Sequence, residues 1–313
     1  MRNIPKRIID KNSKEMIRVY QKAYVEIYNI LYSTLDYKEN PNFSQLSMYS
    51  ALKQIEDILY KLGVDVQTLV TTHIQDCVER GYLDSVIGYL SAENLTGVAL
   101  ATAILEFPFS ALANDVAEQF AKDTFKDLLQ ANNNTAYSIQ QLMREVFSKH
   151  MAAQALLDKS YHSAASEILK DLTGTALKKK IENGVISIVD KAGRRWKLET
   201  YVDMVVKTKY QQARVEGMRE FAKETGRMDL ARIPTNGAKD HCRIFEGLVI
   251  SLTGATNGYQ TYDDLQATNL IFHPRCRHTP MPIKSLDHLH DEEKEFHEML
   301  NNEMVDYLKN INQ

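Results

Sequence analysis

The sequence predicts a mainly α protein: a long N-terminal helical region (1–182), then a small α+β module (183–283) of β-hairpin, long helix and short strands, then an acidic helical tail (284–313). Three observations predict this. Apolar residues recur at helical spacing through the first half of the chain. Near Asn183 the texture switches to β-branched alternation around turn residues. From Leu286 to Asn310 the chain becomes charged and helical in pattern. With 313 residues and 44% hydrophobic content, there is enough chain for two domains and a sizeable core.

Within residues 13–37, Ile17, Tyr20, Tyr24, Ile27, Tyr28 and Leu31 fall on one helical stripe. The tyrosines at steps of four read as core, or as an interface stripe, because aromatics supply large contact area. A second run carries Leu52, Ile55, Ile58, Leu59 and Leu62, with Gly63 placed as a C-terminal cap. Asp65 opens a further helix, in which His73 and Cys77 share the apolar face of Leu69, Val70, Ile74 and Val78 and so read as core residues, before Gly81 ends it.

The most apolar stretch, GVALATAILEFPFSALA (97–113), carries Glu106 and Pro108 and falls short of the roughly 20 residues a bilayer span needs. It reads as a buried helix and bend, with no membrane role. Helices are predicted over 110–130, 136–157 and 160–180, with Asn132–Thr135 (NNNT) as a break and cap between the first two.

VISIVDKAGRRWKL (185–198) reads as a β-hairpin about the turn residues Asp190–Gly193, followed by an amphipathic helix from about Thr200 to Thr225 with Gly226 just past its end. LARIP and GLVISL follow as short strands.

A net charge of −3 argues against a dedicated nucleic-acid binder. From Lys178 to Arg227, however, 13 lysines and arginines stand against 7 acids. A solvated helix face explains most of that excess, and contact with DNA is the alternative. Three cysteines do not make a disulfide framework and fit a reducing compartment. The N-terminus has no apolar stretch of the kind a secretory signal requires.

The chemistry-bearing segment is IFHPRCRHTPMPI (271–283). Pro274 excludes helix, so the stretch is a loop or an edge strand. If extended, it sends Cys276 and His278 to one side and Arg275 and Arg277 to the other. His241, Cys242, His273, Cys276 and His278 are candidate metal ligands, and a tetrahedral zinc would take Cys242 and Cys276 with two histidines. Adjacent His241 and Cys242 diverge on extended backbone. Two other readings stand beside the metal: a Cys242–Cys276 disulfide, and plain anchoring of the loop by hydrogen-bonded histidines, which is preferred. Each requires the loop to fold back beside HCRIFEG. No catalytic constellation is recognisable, although Cys242 or Cys276 with a histidine could pair as nucleophile and base, and Glu246 could act as a base beside a metal.

In order and spacing, DKAGRRWKLETYVDMVVKT (190–208), FEGLVISLTG (245–254) and HPRCRHTPMP (273–282) resemble the phage minor capsid protein 2 family, related in character to Mu F-like head morphogenesis proteins. The resemblance covers Asn183 to Pro282. It implies a virion component that is not an enzyme, assembled in the host cytoplasm, built into the capsid interior near the portal in few copies, with the portal and other head proteins as partners. The alternatives are a toxin-like or nuclease-like enzyme carried in the head, and a helical adaptor without a virion role. The family pattern also places two cysteines in a C-P-x-C arrangement, of which only the second is matched, by Cys242. Lys239 stands at the first, and Asn236 stands where a histidine often follows the preceding strand. The surviving motif is His273, Cys276 and His278.

Overall fold

The computed structural model describes residues 4–38, 40, 43–185, 187–189 and 195–311. In chain order the helices are α1 (Ile4–Leu35), α2 (Gln45–Ala92), α3 (Gly97–Ile104), α4 (Ala111–Leu157), α5 (His162–Lys170), α6 (Gly174–Val185), α7 (Leu198–Thr225), α8 (Tyr262–Ala267) and α9 (Asp291–Ile311). The strands are β1 (Ser187–Val189), β2 (Arg195–Lys197), β3 (Leu230–Arg232), β4 (Val249–Ser251) and β5 (Met281–Ile283). The mainly α class with a small α+β part therefore holds. None of the helices, among the described residues, is long and apolar enough to cross a membrane.

The chain divides into two compact units, Met1–Val70 with Asp123–Val206, and Thr71–Lys122 with Lys207–Gln313. This partition differs from boundaries at 182/183 and 283/284. The change in texture at Asn183 marks where helix gives way to hairpin, but residues 71–122 lend their apolar faces to the later module.

In the first unit, Ile27, Leu31 and Leu35 of α1 close over Ile55 of α2, Ile139, Met143 and Val146 of α4, and Leu172, Leu177 and Ile181. Tyr20 and Tyr24 are buried there, whereas Tyr28 and Tyr32 are half-buried and stack with ring centroids 6.1 Å apart. The tyrosine stripe is thus core at one end and surface at the other. Asn132–Thr135 does not break a helix: α4 runs through it, with Asn132 and Thr135 buried. The Thr135 hydroxyl donates back to the Ala131 carbonyl at 3.1 Å and lies 2.5 Å from Tyr24 Oη, so the polar side chain is satisfied inside the helix. The single helix predicted over 160–180 is instead two, α5 and α6, with α6 starting at Gly174, where φ is +54°. β1 and β2 pair antiparallel with Ile188 opposite Trp196, as the hairpin reading requires. The Asp190–Gly193 turn lies outside the described residues.

Neither Gly63, in the first unit, nor Gly81, in the second, ends a helix; α2 continues through both. Gly81 sits where a Cβ would lie 1.8 Å from the Arg214 carbonyl oxygen, and a Cβ on Gly217 of α7 would lie 1.9 Å from the Val78 carbonyl oxygen. The two glycines let backbone meet backbone where these helices cross. Arg214 beside them binds Asp84 through Nε at 2.8 Å and Nη2 at 2.5 Å. Cys77 and His73 are buried as expected, with His73 Nδ1 3.0 Å from Tyr210 Oη and burial pushing the Cys77 thiol up to about 12. α3 departs from its reading: none of its residues is buried, and only one face leans on the Tyr82, Val86 and Phe221 cluster, through Leu100, Ala103 and Ile104.

The three-stranded antiparallel sheet has the order β4-β3-β5, with Ala231 opposite Ile250 on one side and Pro282 on the other. Proline is tolerated because β5 is an edge. Phe245, Leu248 and Ile250 pack with Leu300 and Met304 of α9, so the acidic tail is part of this core rather than an appendage. His297 Nδ1 accepts from the Val249 N–H at 3.1 Å. Behind β4, Asp229 gathers the hydroxyls of Ser251, Thr253 and Thr256 and the N–H groups of Thr253 and Thr256.

Candidate metal centre

Cys242 stands in a 3₁₀ turn, His241–Phe245, whose entrance is capped by Asp240 Oδ1 accepting from the Cys242 N–H at 3.2 Å. The backbone here is not extended, and the turn separates the adjacent pair by burying Cys242 and leaving His241 exposed. HPRCRH approaches from the other side. Its Cys276 N–H donates to the His273 carbonyl at 2.9 Å, closing a turn over Pro274 and Arg275, and Arg275 takes a φ of +66°. From Arg275 onward the side chains alternate, with Cys276 and His278 buried and Arg275 and Arg277 exposed. The Arg275 N–H donates to Thr208 Oγ1 at 3.2 Å and holds the turn against α7.

The loop therefore folds back beside HCRIFEG. Cys242 Sγ lies 3.1 Å from His273 Nε2 and 3.6 Å from Cys276 Sγ, and Cys276 Sγ lies 3.5 Å from His278 Nδ1. Cys242, His273 and Cys276 bring their ligand atoms within 4.8 Å of one another. His278 joins the row through Cys276. Both cysteines are free thiols here, so they are not joined as a disulfide.

Each imidazole has its second nitrogen occupied. His273 Nδ1 is 2.9 Å from the Pro274 carbonyl and His278 Nε2 is 2.9 Å from Glu246 Oε1. Both acceptors require N–H there, which leaves His273 Nε2 and His278 Nδ1, in the neutral rings, as the lone-pair nitrogens facing sulfur. Glu246 also accepts from the Asn236 and Ala238 N–H groups at 2.8 and 3.0 Å, and Asn236 Nδ2 donates to the Arg277 carbonyl at 3.2 Å. Asn236 thus ties the two loops together without being a ligand. Glu246 was legible as a residue near the cluster, but its imidazole partner, His278, lies 32 positions away and no spacing signals it.

Burial raises the Cys242 thiol well above its ordinary value, reinforced by the neighbouring Cys276. Cys276 goes the other way: burial pushes it up, but hydrogen bonds from the His278 side chain and backbone outweigh this and lower it. His278 is raised in turn, since Cys276 and Glu246 together overcome the burial that lowers it. Glu246, also opposed by burial, is lowered by His278 and the two backbone donors.

Thiol, imidazole and carboxylate stand in a row, an order that nucleophilic catalysis also uses. Cys276 is buried, however, and the cavity it lines with His273, His278, Thr208, Gln211 and Tyr262 measures about 10 Å³, room for about one water.

Fold and site together define a helical protein with a small antiparallel module, clasped by a buried thiol–imidazole cluster. The family model of phage minor capsid protein 2 matches residues 5–313, and the chain belongs to that family of phage structural proteins. The match takes in the N-terminal helices as well as the segments that carry the resemblance. Neither the curated proteins nor the solved structures contain a match to the chain.

Proposed function

We propose that this minor capsid protein is a non-catalytic, low-copy part of the head, assembled in the host cytoplasm and seated in the capsid interior against the portal protein. The observation that carries the reading is α3. It presents Val98 at 83% exposure and Leu105, just past its end, at 81%, while its other face rests on the chain's own core. Two apolar side chains this open, seven positions apart along α3 and its end, support a protein contact. The tyrosine stripe does not serve this purpose, since Tyr20 and Tyr24 are core. Protein contact is favoured over DNA contact because several of the described basic residues between Lys178 and Arg227 are engaged within the chain. Lys180 pairs with Glu145, Arg214 with Asp84, Arg219 with Asp263 and Lys223 with Glu220, and Arg227 lies over the Tyr89 ring.

Mass spectrometry of purified virions should find the chain as a particle component. Co-purification with the portal protein should fall at least about tenfold in a Val98→Ser, Leu105→Ser double variant that keeps the wild-type melting temperature. A virion lacking the chain would sink the structural role, and unchanged co-purification would sink the α3 contact alone.

A further inference from the structure

Two distances in the thiol–imidazole row fall near the edges of a metal coordination tetrahedron, and the ligand atoms of Cys242, His273 and Cys276 all lie within 4.8 Å of one another. With zinc–sulfur bonds near 2.3 Å and zinc–nitrogen bonds near 2.05 Å, a tetrahedral site places sulfur about 3.8 Å from sulfur and about 3.6 Å from nitrogen. The structure has 3.6 Å between Cys242 Sγ and Cys276 Sγ and 3.5 Å from Cys276 Sγ to His278 Nδ1, close to these edges, while Cys242 Sγ and His273 Nε2 stand closer, at 3.1 Å. A disulfide would instead bring the sulfurs to about 2.05 Å.

We propose that Cys242, His273, Cys276 and His278 bind one zinc ion, which clasps HPRCRH to the 3₁₀ turn that carries Cys242.

Three independent features support it. Both histidines turn a lone-pair nitrogen to the thiols and spend the other on an oxygen acceptor, the Pro274 carbonyl for His273 and the Glu246 carboxylate for His278. Outer contacts of this kind fix the tautomer and ring plane of metal-bound imidazoles. The charges also balance: on binding, the two thiol protons leave to solvent, and two thiolates with two neutral imidazoles cancel the charge of the ion, which suits a buried place. Finally, a cavity of about 10 Å³ opens beside His273, Cys276 and His278. Lys239, exposed on its loop, takes no part, and His278 supplies the ligand that a cysteine at that position would otherwise give.

The test uses the full chain, expressed in zinc-supplemented medium and purified without chelator. Metal content is read by plasma mass spectrometry alongside a thiol count in denaturant. The expected result is about one zinc per chain with all three thiols reactive after unfolding, falling to none in Cys242→Ser and in Cys276→Ser and to less than about half in His278→Ala, while Cys77→Ala keeps the metal. Should the serine variants fail to fold, cobalt added to the metal-stripped wild type must show thiolate charge-transfer absorption that zinc abolishes. Absence of metal with three free thiols would overturn the proposal in favour of hydrogen-bonded anchoring, and loss of two thiols without metal would overturn it in favour of a disulfide.

Discussion

Gly81 and Arg214 meet backbone to backbone: a Cβ on the glycine would lie 1.8 Å from the arginine carbonyl oxygen. Nothing flexible stands there to yield, so a methyl group must push one helix off the other. Gly81→Ala is expected to destabilise the protein by about 2–3 kcal/mol, as overpacking does, although alanine is the better helix former. Gly217→Ala, which meets the Val78 carbonyl oxygen at 1.9 Å, should cost a similar amount. Because both substitutions pry open one crossing, the double variant should lose clearly less than the sum, measured by urea unfolding.

The tyrosines of α1 should separate into two classes. Tyr24→Phe removes a buried hydroxyl from Thr135 but leaves Thr135 bonded to Ala131, so about 1 kcal/mol is expected. Tyr20→Ser empties a fully buried site and should cost about 3–5 kcal/mol. Tyr28→Ser loses a stack on Tyr32 and a partly buried contact with the core edge, and a smaller shift of about 1–2 kcal/mol is expected in the same unfolding measurement.

These contrasts show what was legible in the sequence. Helical periodicity located Tyr20, Ile27 and Leu31 correctly, because one buried stripe is what a 3.6-residue repeat encodes. The hairpin around 185–198 and the end of α7 at Gly226, where φ is +64°, were equally legible since turn chemistry is local. Gly81 and Asn132–Thr135 were misread as punctuation because their reasons lie across the fold, in Arg214 and in Tyr24. The apolar composition of α3 indicated burial, yet its exposure depends on what the rest of the chain leaves uncovered. At the candidate site, the alternation of Cys276 and His278 was visible in advance. The Glu246 carboxylate behind His278 was not assigned to it, because a contact between positions 32 apart leaves no pattern in either segment.

The tail offers a sharper check on the second unit. Leu300 and Met304 share a core with Phe245 and Leu248, and the Phe296 ring covers Gly247, whose φ is +93°. Leu300→Ala should therefore destabilise by about 2–4 kcal/mol, a core penalty, whereas a solvated tail would lose almost nothing. Thermal melting of the full chain distinguishes the two, and a melting temperature equal to wild type would contradict the packing.

Acid should weaken the second unit in two stages. His297 is lowered from 6.5 by burial, and its Nδ1 must stay unprotonated to accept from Val249. A depressed histidine contributes stability above its ordinary value and loses it as pH falls through its folded value, so the first stage begins below about pH 6.5. Asp229 is also held below its ordinary 3.8: burial opposes this, but the hydrogen bonds from Ser251, Thr253 and Thr256 prevail. Its contribution is complete above about pH 4 and disappears as pH falls through the depressed value. His297→Phe keeps a ring against Tyr259, costs about 1–3 kcal/mol at neutral pH by orphaning the Val249 N–H, and should remove the first stage alone. Asp229→Asn puts an amide where five donors converge, costs about 2–3 kcal/mol at neutral pH, and should remove the second stage alone. Urea midpoints of the three proteins between pH 3 and pH 8 measure both differences, and parallel pH curves for wild type and either variant would refute the corresponding assignment.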